Sequence, residues 1–161
     1  MTQEKAFQDY YEETTGSVCY GCGRLNEQGL QIKSYWEGDV AVCRFQPQPY
    51  HTAFPCYVYG GLIASLIDCH STGTAAAAAS RAEGRPMDSD PPLRYVTASL
   101  HVDYLKPTPI EAQLTVRATV AQIQGRRITV ASELYAADQL TARGNVVCVR
   151  VPDSWLNNSA G

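Results

Sequence analysis

One apolar segment limits how this chain can fold. Residues 60–80, GGLIASLIDCHSTGTAAAAAS, include five consecutive alanines, and alanine has the highest helix propensity. The segment predicts one long helix that begins at Gly60, ends near residues 82–84 and is apolar on nearly every face. Such a helix must be covered on most sides, so the rest of the chain has to pack around it.

The rest of the sequence contains strand patterns that could form a sheet around the helix. Residues 30–36 and 39–45 predict a hairpin, and four further strand segments follow the helix: 95–105, 111–124, 126–137 and 141–151. We therefore expect an α+β fold in which a curved antiparallel sheet of five to six strands wraps one long central helix. In the first segment after the helix, alternation predicts a core face that runs from Val96 to Tyr104, with Thr97 on the polar face.

Length and charge exclude some functions. The chain has 161 residues, of which 45% are hydrophobic, enough for one domain with a full core. The net charge of -3 argues against nucleic-acid binding. No apolar run approaches the roughly 20 residues that span a bilayer, and the N-terminus is polar and acidic. We therefore expect a cytoplasmic protein that does not bind membranes.

Six cysteines raise the question of disulfides or a metal site. Because several lie in apolar segments and no secretory signal is seen, we expect mostly buried thiols. Cys19 and Cys22 have the spacing of half a zinc site, but a closed tetrahedral site needs two more ligands, and neither a second CxxC nor an HxxxH pair occurs. We interpret this segment as a turn and predict no metal.

An aspartate interrupts the predicted helix. At about 100° per residue, Asp68 shares its stripe with five small residues: Gly61, Ala64, Ser65, Thr72 and Ala75. Small side chains let a ligand or another chain come close, so the carboxylate would face a cleft or an interface. The alternative is a buried carboxylate that is bonded to backbone, Ser71 or Thr72. His70 lies about 200° round the helix from Asp68, and we interpret it as a core or interface histidine.

Three motifs together resemble the PaaI-type hot-dog acyl-CoA thioesterases. They are CYGCGRLNEQGLQI at 19–32, FPCYVYGGLIASLID at 54–68 and VTASLHVDYLKPTPI at 96–110. The resemblance covers residues 17–152, which we assign to the thioesterase domain. Residues 1–16 then form an N-terminal extension with a short helix near 3–13, and residues 153–161 form a tail. The resemblance implies the hot-dog fold and a homodimer, or a dimer of dimers, whose sheets join.

The resemblance also implies roles for three residues. Asp68 would be the catalytic carboxylate, acting as general base on water or as nucleophile. The N–H of Gly60, at the helix N-terminus, would polarise the thioester carbonyl, and Thr97 would position water. A free N–H suits a carbonyl that gains negative charge in the transition state, and an ionised carboxylate can take a proton from water or attack directly.

Further residues are candidates for substrate binding. Tyr59 stands where the family usually has histidine, and its hydroxyl can donate a hydrogen bond. Gly61 and Ser65 lie on the stripe of Asp68 and complete this predicted set. For the CoA phosphates we predict Arg126 and Arg127, from a larger set of cations that also includes Arg81, Arg85, Arg94 and Lys106.

Spacing along the helix predicts that two subunits share the site. Gly60 and Asp68 are eight residues apart, which is about 12 Å in a helix. One helix cannot bring both groups to one thioester, because each must lie within about 3 Å of the reacting atoms. The simplest arrangement takes Gly60 from one chain and Asp68 with Thr97 from the other.

The sequence therefore predicts hydrolysis of an acyl-CoA or similar thioester to free acid and CoA, without metal or organic cofactor. Two alternatives stay open. One is a hot-dog module that binds an acyl-CoA without turnover, which the exchange of histidine for Tyr59 motivates. The other is a hot-dog enoyl-CoA hydratase, which would need a histidine and an acidic residue at the double bond.

Overall fold

A computed structural model describes residues 4–13 and 16–156 of the chain. The first element is a short 3-10 helix at Phe7–Tyr10. The first two strands are β1 (Ser34–Glu37) and β2 (Val40–Phe45). Helix α1 (Gly60–Glu83) follows. The remaining elements are β3 (Tyr95–Tyr104), β4 (Leu114–Gln124), β5 (Arg127–Ala136), β6 (Gln139–Arg150) and the short helix α2 (Asp153–Leu156).

The six strands form one antiparallel sheet in the order β1-β2-β4-β5-β6-β3. Helix α1 packs against all six of them. This arrangement of one long helix wrapped by an antiparallel sheet confirms the predicted hot-dog fold. Strands β1 and β3 are the two edges of the sheet, so within the described residues β3 has a neighbouring strand on one side only.

Helix α1 is buried over most of its surface, as its apolar pattern predicts. Leu62, Leu66 and Ile67 are fully buried, and the five alanines at 75–79 are buried as well. The helix ends at Gly84, which adopts the left-handed conformation with φ 61° and donates its N–H to the Arg81 carbonyl. The predicted end near residues 82–84 is confirmed.

His70 belongs to the core. Its Nε2 lies 3.1 Å from the Ala41 carbonyl oxygen, and its Nδ1 lies 2.8 Å from Ser34 Oγ. Burial lowers the pKa of His70 to about 4. Because a carbonyl only accepts, the neutral ring carries its proton on Nε2 and accepts the Ser34 hydroxyl at Nδ1. The prediction of a core histidine is confirmed.

Part of the predicted N-terminal extension packs into the same core. Ala6, Phe7 and Gln8 are buried, and Gln8 Nε2 donates a hydrogen bond to Ser34 Oγ at 3.1 Å. The short helix expected near residues 3–13 is the 3-10 helix at Phe7–Tyr10, and residues 1–3 lie outside the described residues. Among the described residues, none of the helices combines the length and the apolar character needed to cross a bilayer.

A β-bulge in β3 overturns the predicted alternation of its faces. Thr97 lies opposite Cys148 and Ser99 lies opposite Val147, so Ala98 is the extra residue. Residues opposite each other in an antiparallel pair share a face, and Cys148 is fully buried. Thr97 therefore faces the helix, and the expected places of Val96 on the core face and Thr97 on the outer face are wrong. Beyond the bulge, Leu100, Val102 and Tyr104 lie on the helix side of the sheet as predicted, but Leu100 and Tyr104 are exposed and do not belong to the core.

Candidate active site

A cavity of about 620 Å³ opens beside α1. Its walls come from the middle of the helix, the start of β3, the N-terminal segment and the short helix α2. The volume falls in the range of small-molecule sites, which is about 300–1,000 Å³. Asp68 and Thr97 both line it.

Asp68 and Thr97 are hydrogen-bonded to each other. Thr97 Oγ1 donates to Asp68 Oδ1, and both residues are half-buried. Asp68 lies on the most open stripe of the first half of α1, where Gly61 is exposed and Ala64 and Ser65 are half-buried. The structure thus places the carboxylate in a cleft and not in the core.

The alternative partners of Asp68 are engaged elsewhere. Ser71 Oγ lies 3.0 Å from Ser132 Oγ inside the core. Thr72 Oγ1 donates to the Asp68 and Cys69 backbone carbonyls, at 3.4 and 3.1 Å. The carboxylate that Thr97 orients is therefore available to accept a proton from water or to attack a carbonyl.

Gly60 lines a different cavity. That cavity has a volume of about 330 Å³ and is also lined by Ile63, Tyr104 and Lys106. As the first residue of α1, Gly60 has no helical carbonyl one turn earlier to accept its N–H. The Tyr104 hydroxyl donates to the Gly60 carbonyl at 2.7 Å. Within one chain, the predicted carbonyl-polarising group and the carboxylate are thus separated.

Three of the predicted substrate-binding residues, Tyr59, Gly61 and Ser65, lie at the start of α1, outside the Asp68 cavity. Tyr59 precedes the helix, and 42% of its surface is exposed. Its ring covers Gly61 so closely that a Cβ on Gly61 would collide with it. Ser65 Oγ donates to the Gly61 carbonyl at 2.8 Å, so its hydrogen is used within the helix.

The predicted phosphate-binding arginines do not reach this cavity either. Arg126 and Arg127 are exposed at the turn between β4 and β5, and Arg126 Nη2 donates to the Arg150 carbonyl at 2.9 Å. Arg127 lies opposite Val149, next to the buried Cys148, and so on the face of the sheet away from α1.

Arg94 is the arginine that lines the Asp68 cavity, and it is not a surface cation. Only 7% of it is exposed. Its Nη2 lies 2.8 Å from Glu12 Oε1, and its guanidinium lies 4.3 Å from the centre of the Tyr11 ring. Including Arg94 among the surface cations available to CoA was therefore wrong, because the N-terminal segment covers it.

Three thiols line the same cavity. The sulfurs of Cys19, Cys22 and Cys69 all lie within 4.8 Å of one another, and all three cysteines are reduced. Hydrogen bonds from the Cys22 and Cys69 thiols, and from the N–H groups of Cys22 and Gly21, hold the pKa of Cys19 far below its usual range.

Comparison with known proteins identifies the family. The sequence-family model of the thioesterase superfamily matches residues 57–143, which is more than half of the chain. The chain belongs to the thioesterase superfamily.

Relatives of this superfamily protein agree with the fold. It is 41% identical to a thioesterase superfamily protein from Shewanella loihica PV-4, whose crystal structure matches with a TM-score of 0.68 over 90% of this chain and 99% of that one. The PaaI protein from the phenylacetic acid degradation operon of Escherichia coli has the same fold, with a TM-score of 0.62 at 17% identity over 76% of this chain and 81% of that one.

A curated relative matches a smaller part of this chain. Acyl-coenzyme A thioesterase THEM4 of Xenopus laevis is 32% identical over 97 residues, which are 60% of this chain and 38% of that protein. The chain thus matches less than two fifths of the length of this relative.

Of the residues predicted for the site of this superfamily protein, the structure brings together Asp68 and Thr97. It leaves Gly60, Tyr59 and Gly61 at the helix start. Six further cavity residues are among those that sequence reasoning missed: Tyr11, Cys69, Tyr95, Val151, Trp155 and Leu156. They come from segments that no spacing rule connects, and the half-motif at Cys19 and Cys22 was the only signal that could have prompted a search for a third thiol.

Proposed function

We propose that this protein hydrolyses an acyl-CoA, or a similar thioester, to the free acid and CoA, with Asp68 as the reacting carboxylate. The observation that carries the proposal is the hydrogen bond from Thr97 Oγ1 to Asp68 Oδ1 in the wall of the 620 Å³ cavity. Membership of the thioesterase superfamily supports a thioester substrate. The relative named acyl-coenzyme A thioesterase supports CoA as the thiol.

Asp68 can take part in the hydrolysis by either of two mechanisms. As a general base, it takes a proton from water while the water oxygen attacks the thioester carbon, and the carbon–sulfur bond then breaks to release CoA. As a nucleophile, it attacks the carbon itself, the carbon–sulfur bond breaks and CoA leaves as the thiolate, and water then hydrolyses the anhydride to the free acid and the original carboxylate. Thr97 holds the carboxylate in one orientation on either route. A helix N-terminal N–H stabilises the oxyanion that both routes form.

The proposed site includes a second subunit. Gly60 and Asp68 line different cavities of one chain. A substrate bound to a single chain therefore cannot contact both groups. Strand β3 can bring the two groups together across a dimer, because it contacts both of them. Thr97 near its start contacts Asp68, and Tyr104 at its end contacts Gly60. If two copies of β3 pair antiparallel about a two-fold axis, the Tyr104 end of one lies beside the Thr97 end of the other. Gly60 of the partner subunit then approaches Asp68.

The exposed edge of β3 supports pairing with a second copy. Val96 and Leu100 are 41% and 40% exposed, and Tyr104 and Leu105 are also exposed. An edge strand with unpaired backbone groups and exposed apolar side chains is a surface that proteins normally cover. We therefore propose a homodimer, or a dimer of dimers, with β3 at the two-fold interface.

Thiol release from a panel of acyl-CoA substrates tests the proposed reaction. We expect at least one substrate to yield free CoA at a rate far above that of Asp68→Asn. Tight binding without thiol release above that background would instead identify a binding module. Hydration of crotonyl-CoA without thiol release would identify a hydratase. In the described residues, no histidine of the same chain lines the Asp68 cavity, so a hydratase would need a histidine from the partner subunit.

A further inference from the structure

The three thiols beside Asp68 have no role in the proposed hydrolysis. Cys19 and Cys22 lie in the loop that precedes β1, whereas Cys69 lies on α1 directly after Asp68. Cys19 Sγ and Cys69 Sγ are 3.9 Å apart, and all three sulfurs lie within 4.8 Å of one another. In tetrahedral zinc with Zn–S bonds of about 2.3 Å, the sulfurs are about 3.8 Å apart. The spacing of the thiols is therefore already close to what zinc requires.

The loop backbone prepares Cys19 as a ligand. The Gly23 N–H donates to the Cys19 carbonyl at 2.8 Å and closes the turn that contains both loop cysteines. The thiolate is the form of cysteine that binds metals.

Two glycines make the cluster sterically feasible. A Cβ on Gly21 would overlap Cys69 Sγ, and a Cβ on Gly23 would overlap the backbone of Cys19 and Ser17. Any side chain at position 21 would therefore collide with the Cys69 thiol at its present position. The loop can approach the helix thiol only with glycine there.

We propose that Cys19, Cys22 and Cys69 bind one Zn²⁺ as thiolates, with the fourth coordination position open to the cavity that Asp68 lines. Thiolates are soft ligands that suit zinc, and three protein ligands with one open position are a known zinc arrangement. All three cysteines line the cavity, so the open position faces it. Thiols that are still protonated release their protons to solvent when the metal binds. The ion would also tie the loop to α1.

Metal titration of the full chain, reduced, metal-free and without a histidine tag, tests the site. We expect about one zinc per chain after dialysis, and we expect Co²⁺ to give thiolate charge-transfer bands with the visible spectrum of a tetrahedral ion. Cys19→Ser should weaken zinc binding on the order of 10²-fold or more, because one of three ligands is lost. Cys56→Ser removes an exposed thiol outside the cluster and should leave zinc binding unchanged.

Three results would overturn the zinc site. They are no zinc uptake by the reduced protein, equal affinity of the wild type and Cys19→Ser, and a cobalt spectrum without thiolate bands. If Cys69→Ser fails to fold, Cys19→Ser decides alone, since Cys19 is exposed. Zinc binding by Asp68→Asn is expected to match that of the wild type, so the result stands whether or not the protein hydrolyses thioesters.

Discussion

Thr97 and Asp68 are 29 residues apart in the chain, and their side chains are hydrogen-bonded between β3 and α1. The bulge at Ala98 makes this contact possible. It reverses the alternation of β3, so that Thr97 and Leu100 both face the helix side of the sheet. A regular strand in which Leu100 faces the helix would turn Thr97 away from Asp68.

Asp68→Asn is expected to fold and to lower kcat by about 10²-fold or more, because the amide keeps the shape but removes the base or nucleophile. Steady-state thiol release measures the loss, and circular dichroism checks the fold. Asp138→Asn, an exposed carboxylate in the turn between β5 and β6, is the matched control and should keep full activity. Activity of Asp68→Asn within a few-fold of the wild type would show that this carboxylate is structural.

Thr97→Val is expected to lower kcat by roughly 10-fold with a smaller change in KM, because the variant keeps the shape but loses the hydroxyl that orients Asp68. Thr97→Ser keeps that hydroxyl and should retain most of the activity. If Val and Ser reduce kcat equally, the hydroxyl has no part in positioning the carboxylate.

Gly60→Pro is expected to abolish the proposed thioester hydrolysis without unfolding the protein. Proline removes the N–H proposed to polarise the carbonyl, at a first-turn position where helices tolerate it. Tyr59 already has the extended conformation, with ψ 145°, that proline requires of the residue before it. Gly60→Ala is the matched control, because it adds a Cβ 3.2 Å from the Tyr104 ring but keeps the N–H. Equal losses in the two variants would assign the effect to crowding.

Mixed dimers test whether the site is shared. Gly60→Pro and Asp68→Asn should each be inactive alone. When equal amounts are unfolded and refolded together, about half of the dimers are mixed and each contains one intact site of two, so about a quarter of the wild-type activity should return. A mixture that has exchanged subunits, as mass-tagged chains would show, and that stays inactive contradicts the shared site.

Leu100→Lys is expected to weaken the dimer at least 10-fold, because it places a charge in the middle of the exposed apolar edge of β3. Light scattering after size exclusion, over a dilution series, measures the dissociation. Ile123→Lys is the matched control, since Ile123 is 52% exposed on β4 and should not affect assembly. A wild-type protein that is monomeric and fully active would refute the proposed interface.

His70→Leu is expected to lower the free energy of unfolding by about 1–3 kcal/mol, because the buried Ser34 hydroxyl loses the acceptor of its hydrogen and the Ala41 carbonyl loses the imidazole N–H. Urea denaturation measures the change. His101→Leu, at an exposed position of β3, should have a much smaller effect. The folded His70→Leu protein should keep its kcat, and a large loss of kcat at unchanged folding would instead give His70 a role in the reaction.

The sequence by itself determined the central helix, the antiparallel strands and the carboxylate on a stripe of small residues. Each of these depends on local propensity or on a period that a few neighbouring residues define. Asp68 was identifiable because the polar group interrupts an apolar helix, and Gly84 because a helix end commonly needs a left-handed residue.

The tertiary structure decided what the chain brings together. One extra residue in β3 turned Thr97 toward α1, and alternation alone could not reveal the bulge because it depends on the partner strand β6. Arg94 became a buried residue because the N-terminal segment folds over it. Cys69 joined Cys19 and Cys22 because the loop before β1 packs on α1. These contacts link segments that are far apart in the chain, so their positions follow from packing and not from the spacing of residues.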